Sequence, residues 1–582
     1  MDRRELVGSL GLADLPTSIA GHAGNPTDPL AFTSAFDPRQ FQPPTTTSPW
    51  SPFHHPVFQA LWLATLVSNI GTFMQSVGAA WLMTSLSTSP AMVALVQAAG
   101  IFPMFLLSLP AGALADIIDR RRLLLATQAW MTLAAALLAA LTLLGAASPW
   151  MLLGFTFLLG LGAAMNAPAW QAIVPELVPR PELAQAISLN SVGFNLSRAV
   201  GPALGGAIVA AAGAGYTFML NAVSFLGVMI VLYRWQRPAT DAALPAERMV
   251  AAIHTGLRYV RHSRGLQAVL WRTGIFILFS SSLWALLPLV VRFEMAGSSA
   301  DYGILLGCFG AGAVAVAGLW PRMQRHLPVE ALLAGMTIVA AAMIAVTALV
   351  PHMAALVAAM VLSGAAWLVM VSIFNVAIQI AVPAWVRARV LAVYMLAFAG
   401  GFSVGSAVWG AVATHQGLKA ALLCSAVGLG LGLLAAIRYP VRIDAESDLT
   451  PSLHWPEPHL ILEPRPEHGP VLVTLEYLID PQDNSQFAQA MQALGVIRRR
   501  DGAIRWGLFQ DTANPGRFLE TFIVETWIEH RRQHERMTVA DRSIEEQAFS
   551  FHVGSERPLV QHLIYAYGRR GRDRKKFIKS LR

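Results

Sequence analysis

Long apolar segments constrain this chain more than any other feature of its sequence. Runs of about 18 or more apolar residues without a charged side chain recur between Phe58 and Ile437, and such runs can cross a bilayer as helices. The 582 residues are 55% hydrophobic and 13% charged, whereas soluble proteins carry about 25% charge. We therefore predict an all-α polytopic membrane body with the lipid bilayer as its partner.

Breaks at proline, glycine and charged residues divide the apolar region into twelve predicted transmembrane helices. The first six lie near 57–82, 91–115, 123–145, 150–172, 186–211 and 216–234. The second six lie near 268–291, 302–320, 330–350, 354–381, 389–413 and 419–437.

An internal repeat relates the two sets of six helices. A lag of about 204 residues superposes several breaker residues, namely Gly160 on Gly364, Pro179 on Pro383, Gly201 on Gly405 and Gly206 on Gly410. Duplicated parallel halves place a substrate site near the bilayer midplane between them.

Basic residues predict the orientation, because Lys and Arg beside membrane spans stay cytoplasmic. One side of the predicted helices carries Arg120, Arg121, Arg122, Arg180, the segment from Arg234 to Arg272, Arg322, Arg325, Arg387, Arg389 and Arg438. The other side carries Arg292 and Lys419. We expect a multi-pass protein of the bacterial inner (plasma) membrane with both termini in the cytoplasm.

The sequence predicts seven consecutive segments. They are a disordered cytoplasmic tail (1–52), a first six-helix half (53–234), a central cytoplasmic loop (235–267), a second six-helix half (268–438), a linker (439–469), a soluble α+β domain (470–568) and a basic tail (569–582). Proline, threonine and serine clusters such as PPTTTSPWSP make the first tail too polar to form a core.

The soluble segment alternates as strands and amphipathic helices. VLVTLEYLI, AIRWGLFQD, RFLETFIVET and LVQHLIYAY are strand-like, while DNSQFAQAMQALGVI and the stretch from Ile528 are helical. The order β-α-β-β-α-β predicts a ferredoxin-like fold. The basic tail that begins at Arg569 suits an anionic membrane surface, and no nucleic-acid partner is expected.

The segment between predicted helices 2 and 3 reads GALADIIDRRR and resembles the loop signature of the major facilitator superfamily. The matching residues are Gly112, Leu114, Ala115, Asp116, Arg120 and Arg121. Ile117 stands where a basic residue is expected and Asp119 where a glycine is expected. If the helix continues, Asp116 can pair with Arg120 at i+4; in the family such a loop gates the transporter. The alternative is a simple cytoplasmic basic turn.

Predicted helix 5 contains NLSRAVGPALGG, which is similar to a signature of antiporters in the same superfamily. Gly201 and Gly205 form a GxxxG pair, and together with Pro202 and Gly206 they allow close helix contact and bending during gating. Ser188 and Ser197 stand where the longer signature has glycines, which weakens the prediction of antiport.

A wider resemblance covers nearly everything after residue 50. SNIGTFMQSVGAAWLM, VPELVPRPELAQAISLNS and ETFIVETWIEHRRQHER resemble transmembrane secretion effectors, a bacterial subfamily that includes enterobactin-type siderophore exporters. The resemblance implies a secondary exporter of a small molecule such as a siderophore, drug or other metabolite. The soluble domain resembles dimeric α+β barrels of the antibiotic-biosynthesis-monooxygenase type, which implies a homodimer.

The alternative function is a membrane-anchored enzyme or regulator acting through the soluble domain. His530 and His534 lie one helical turn apart, but EHRRQHER is equally a solvated helix face without a third ligand nearby. We therefore predict no catalytic residue, no metal and no cofactor.

Polar residues inside the predicted helices are candidates for substrate contact. Arg198 is a deep charge, roughly 18 Å along helix 5 at 1.5 Å per residue, and a charge at such depth needs a cavity or a partner. The other candidates are Asn69, Gln75, Gln97, Asn166, Gln171, Asn190, Asn195, Asn375 and Gln379. Each can instead bond neighbouring helices. The interiors of the predicted helices hold no Asp or Glu, so proton coupling is not indicated.

Overall fold

The structure is a computed structural model that describes residues 48–235, 249–441, 448–452, 454–455, 464–465 and 467–565. Within these ranges, the side chains of residues 109, 112–113, 115–117, 249–254 and 321 are outside the description. The predicted N-terminal tail up to residue 47 and the basic tail also lie outside it. The account below concerns the compact unit that begins at Pro52.

The body is built from long helices. In chain order they are α1 (Pro56–Leu86), α2 (Pro90–Ile117), α3 (Arg120–Leu143), α4 (Pro149–Leu177), α5 (Leu183–Ala212), α6 (Ala214–Arg234), α7 (Met249–Arg261), α8 (Arg264–Leu289), α9 (Ser299–His326), α10 (Val329–Leu349), α11 (Met353–Ala381), α12 (Ala384–Gln416), α13 (Leu418–Leu431) and α14 (Ala435–Arg438). Among the described residues, eleven spans are long and apolar enough to cross a membrane, the last of them running from Leu418 to Arg438.

Eleven candidate spans are found among the described residues where the sequence predicted twelve, and the predicted span that is missing from them is α5. It has 30 residues and lies where helix 5 was predicted, but it is not among the eleven. Asn190, Asn195 and Arg198 make it more polar than its neighbours. The same residues that marked α5 as a candidate for substrate contact therefore lower its apolar character.

The breaks between helices have local causes. Asp119 accepts a hydrogen bond from the Arg122 backbone N–H at 2.9 Å and so caps α3. Gly213 and Gly417 have φ of 95° and 88°, which favours glycine, and each joins two helices without a longer loop. These two glycines are 204 residues apart, the lag of the sequence repeat.

Helix packing follows the same repeat. A Cβ at Gly201 would lie 2.7 Å from Phe73 Cβ of α1, and a Cβ at Gly405 would meet Leu278 and Ser281 of α8. Thus α5 packs on α1 within the first half as α12 packs on α8 within the second.

The contacts between the two halves are also equivalent. A Cβ at Gly206 would lie 2.8 Å from Gly303 Cα of α9, and a Cβ at Gly410 would lie 2.5 Å from Ala94 Cβ of α2. Helices α5 and α12 therefore each contact both halves, as close packing at small residues allows.

The C-terminal domain contains β1 (Val471–Leu478), α15 (Asn484–Asp501), β2 (Ala503–Gln510), β3 (Arg517–Val524), α16 (Trp527–Arg536), α17 (Val539–Phe549) and β4 (Leu559–Ile564). Its antiparallel sheet has the order β2-β3-β1-β4. The predicted second helix is divided in two, because Thr538 caps α17 by accepting from the Asp541 backbone N–H.

The domain contacts the body through α7, which lies inside the segment predicted as the central loop. Arg258 of α7 donates to Glu529 of α16 at 3.2 Å. The Arg500 guanidinium lies 5.1 Å from the Tyr259 ring, and that of Arg536 lies 4.6 Å from the Trp385 ring of α12. The central segment is thus a docking element as well as a connection.

Candidate functional site

A cavity of about 1050 Å³ lies within the first half of the body. All of its described lining residues belong to α1–α6. The sequence predicted a site between the two halves, whereas this cavity is enclosed by one of them.

Seven of the ten predicted substrate-contact residues line this cavity, namely Asn69, Gln75, Gln97, Asn166, Gln171, Asn190 and Asn195. Three are engaged in the protein: Gln75 accepts from Asn221 Nδ2 at 2.5 Å, Asn166 accepts from Thr127 Oγ1 at 3.1 Å, and Asn195 donates to the Ser191 carbonyl at 2.9 Å. The amides with no hydrogen bond to another described residue are those of Asn69, Gln97, Gln171 and Asn190.

Sequence reasoning missed other polar residues of the cavity. Gln128 of α3 and Asn221 of α6 line it, and so do hydroxyl groups on α1, including those of Thr65 and Thr72. Gln128 and Asn221 are amides inside apolar helices, so the signal used for the other candidates was available for them as well. The hydroxyls gave no such signal, because Ser and Thr commonly bond the carbonyl of their own helix.

Asn375 and Gln379 lie apart from the cavity, on α11 of the second half. The Gln379 Nε2 donates to Asn375 Oδ1 one turn earlier. This contact lies within α11, so it is neither a cavity contact nor the bond between neighbouring helices that the sequence left open for them.

Arg198 is also not among the residues that line the cavity. Its guanidinium carbon lies 5.6 Å, 5.2 Å and 6.0 Å from the ring centroids of Trp284, Phe309 and Trp367, which belong to α8, α9 and α11. Cation–π contact of this kind stabilises a partly desolvated cation. A cation of the first half is thus held by three aromatic rings of the second half.

This arrangement predicts that charge at position 198 stabilises the contact between the halves. Arg198→Gln removes the cation, and a desolvated cation–π contact contributes about 2 kcal/mol, so we expect a lower melting temperature of the purified protein. Arg198→Lys keeps a cation and should retain most of the stability. An Arg198→Gln variant with a normal melting temperature and lost transport would instead indicate that Arg198 contacts the substrate.

The two halves are in contact at the end of the body where α1 finishes. Arg292 Nη1 donates to Thr84 Oγ1 at 2.8 Å and to Ser85 Oγ at 2.6 Å, and Trp81 stacks on Tyr302 with ring centroids 6.2 Å apart. The cavity lining extends instead toward Pro175 and Leu183, at the opposite end of the helices. The structure therefore brings the halves together at one end and extends the cavity toward the other.

The predicted gating loop is only partly described, since the side chains of Gly112 and Asp116 lie outside the description. Helix α2 ends at Ile117 and α3 begins at Arg120, so the expected i, i+4 geometry between Asp116 and Arg120 within one helix is not present. Arg120 donates to Glu176 of α4 at 2.7 Å. Arg121 donates to the carbonyl of Leu232 at 2.8 Å.

The predicted glycines of α5 are divided between two contacts. Gly201 and Gly205 lie against α1, where a Cβ at Gly205 would be 2.7 Å from Met74 Cα. Gly206 lies against α9, and a Cβ on the facing Gly303 would be 2.5 Å from the Pro202 carbonyl oxygen. The motif therefore joins α5 to both halves.

His530 and His534 lie close together in the soluble domain, with their Nε2 atoms 3.4 Å apart. Burial and the neighbouring imidazoles lower the pKa of His530 to about 3 and that of His534 to about 4. Both are therefore neutral at pH 7. The described residues hold no cluster of three or more side chains suited to a metal ion.

The body shares its fold with two solved transporters. The body is similar to a bacterial homolog of the human lysosomal transporter Spinster, with a TM-score of 0.53 and 16% identity over 67% of this chain and 98% of that one. It is also similar to the nucleoside transporter NupG, with a TM-score of 0.57 and 11% identity over 66% of this chain and 100% of that one. The class defined by the fold is a polytopic helical membrane protein.

The sequence profile of the transmembrane secretion effectors matches residues 47–570, and the chain belongs to that family. It is 26% identical to the staphyloferrin A transporter of Staphylococcus aureus, over 44% of this chain and 65% of that protein, just under two thirds of its length. It is 26% identical to the multidrug efflux pump Tap of Mycolicibacterium fortuitum, over 64% of this chain and 93% of that protein. These relatives are transporters, and this finding does not favour the alternative of a membrane-anchored enzyme.

Proposed function

We propose that this protein exports a small molecule by alternating access, with the cavity of the first half as its substrate site. The observation that carries the proposal is the cavity itself, which is large, carries amide and hydroxyl groups between apolar walls, and extends to one end of a body whose halves meet at the other end. Export as the direction is supported by the multidrug efflux pump among the relatives. Helix α5 is proposed as the twelfth transmembrane helix, since it packs between α1 and α9.

Both termini are proposed to be cytoplasmic in a bacterial inner membrane. The basic residues support this orientation, and the cavity then extends to the cytoplasm, from which a substrate for export must enter. Labelling of a single cysteine at Gly554 from outside intact cells would contradict it.

Export through the cavity predicts a strong effect of its unengaged amides. The double variant Gln97→Leu with Gln171→Leu removes two hydrogen-bonding side chains, each worth about 1 kcal/mol to a bound substrate. We expect export per inserted molecule to fall at least tenfold, as measured by comparing metabolites in the medium and in cells with and without the gene.

The matched control is Gln379→Leu, the same substitution outside the cavity, which should leave export within about twofold. Equal export by the double variant and the control at equal membrane abundance would reject the cavity as the substrate site.

A homodimer through the soluble domain is also proposed. The order β2-β3-β1-β4, with α15 and α17 sharing a core with one face of the sheet, supports the ferredoxin-like fold. The other face carries apolar side chains, of which Leu559 and Leu563 are 60% and 50% exposed. An exposed apolar sheet face of this kind is typical of an interaction surface.

The dimer predicts that a charge on this face separates the subunits. Leu563→Asp should convert residues 468–568, expressed alone, from dimer to monomer in light scattering. Val553→Asp is the matched control, since Val553 is exposed but lies outside the sheet. A wild-type domain that is monomeric at high concentration would rule out the dimer.

A further inference from the structure

We infer that the exported substrate is an uncharged, drug-sized molecule rich in hydroxyl or amide groups, and this inference rests on the proposed function. The described residues that line the cavity include no Asp, Glu, Lys, Arg or His. They do include many amide and hydroxyl side chains. The cavity therefore offers hydrogen bonds without a countercharge.

The amides of the cavity can both donate hydrogen bonds to a neutral substrate and accept hydrogen bonds from it. Each Asn or Gln side chain presents two N–H donors and a carbonyl acceptor, and those of Asn69, Gln97, Gln171 and Asn190 make no hydrogen bond to another described residue. A hydroxyl or amide group of a substrate can pair with either end. An ionised substrate would lose its hydration in the cavity without gaining an opposite charge, which is unfavourable.

Three charged groups near the cavity are engaged with other parts of the protein. Arg120 pairs with Glu176 at 2.7 Å near one end of it. Glu182 pairs with His55 at 3.0 Å. Arg198 is turned toward the aromatic rings of the second half. None of these groups supplies a free charge to the cavity.

The shape of the cavity adds a requirement of size and of an apolar face. Its volume of about 1050 Å³ lies at the upper end of ligand pockets, which are about 300–1000 Å³. Trp170, Phe194 and Phe225 are among its walls. Aromatic walls contact the apolar faces of rings while the amides bond the polar edges, so a small inorganic ion or a simple amino acid would fit poorly.

The test is to determine the charge of what the protein exports. Medium from cells with and without the gene is passed at pH 7 over an anion exchanger and then a cation exchanger, and each fraction is profiled by mass spectrometry. We expect the compounds that depend on the gene to pass both columns unbound. Gene-dependent compounds retained on either column would overturn the inference while leaving export intact. No gene-dependent compound in any fraction would overturn the proposed function.

A cavity variant provides a second measurement. Gln171→Glu adds a carboxylate beside the substrate, and we expect export of the unbound compounds to fall at least tenfold at pH 7, where an exposed carboxyl with an ordinary pKa of about 4.3 is ionised. Gln379→Glu, outside the cavity, controls for the introduced charge. Unchanged export by Gln171→Glu at equal membrane abundance would also overturn the inference.

Discussion

Replacing Gly206 by valine is expected to remove most of the assembled transporter. A Cβ at this position would lie 2.8 Å from Gly303 Cα and would also meet the Ser299 carbonyl oxygen. Both are backbone atoms of α9 that cannot rotate away, so α5 and α9 would have to separate. Overpacking costs about 1 to 3 kcal/mol where side chains can adjust, and we expect at least the upper value here.

The measurement is the melting temperature and yield of the purified protein, with Gly227→Val as control. A Cβ at Gly227 of α6 would meet nothing within 4 Å, so this control should fold normally. Equal stability of the two variants would show that α5 and α9 are not in close contact. A Gly206→Ala variant with normal yield but slow export would instead indicate that closure of the two halves at this end is the affected step.

Replacing Arg498 by methionine is expected to destabilise the soluble domain by about 3 to 5 kcal/mol, because it leaves buried carboxylates unpaired. Arg498 Nε donates to Glu520 at 3.1 Å and Nη2 donates to Glu545 at 2.8 Å. All three residues are no more than 2% exposed. Urea unfolding of residues 448–568, which include the Glu545 partners His454 and Trp455, measures the effect.

The matched control is Arg517→Met, since Arg517 bonds Glu476 and Asp511 at the surface. An exposed ion pair contributes at most about 1 kcal/mol. Adding Glu520→Gln and Glu545→Gln to Arg498→Met should restore part of the lost stability. Equal losses from Arg498→Met and Arg517→Met would contradict the buried network.

The same network predicts acid sensitivity. Burial would raise the pKa of Glu545, but the charge of Arg498 and hydrogen bonds from His454 and Trp455 outweigh it and lower the pKa to about 2. A carboxyl with a lowered folded pKa stabilises the domain above its unfolded pKa, about 4.3, and this stability is lost as the pH falls toward 2. His530 and His534, with lowered pKa values, act in the same direction below about pH 6.5. The unfolding free energy should therefore fall steadily from pH 7 to pH 3.

The sequence by itself determined the class of the protein, the helical body and its duplication. Apolar length fixes spanning helices because backbone polar groups in lipid must bond within the helix, and the lag of 204 residues identified the equivalent glycines. It also identified most amides of the cavity, because an amide inside an apolar helix is unfavourable unless it has a hydrogen-bond partner or faces a polar cavity.

Only the tertiary structure decided where these side chains meet. Sequence spacing gives the depth of Arg198 along α5, but the direction of its side chain depends on which helix packs beside it, and that neighbour is the second half. The amides converge because α1 to α6 surround a common space, which no local pattern encodes. The partner of Arg120 likewise depended on α2 ending at Ile117, since one break in the helix changes which residues share a face.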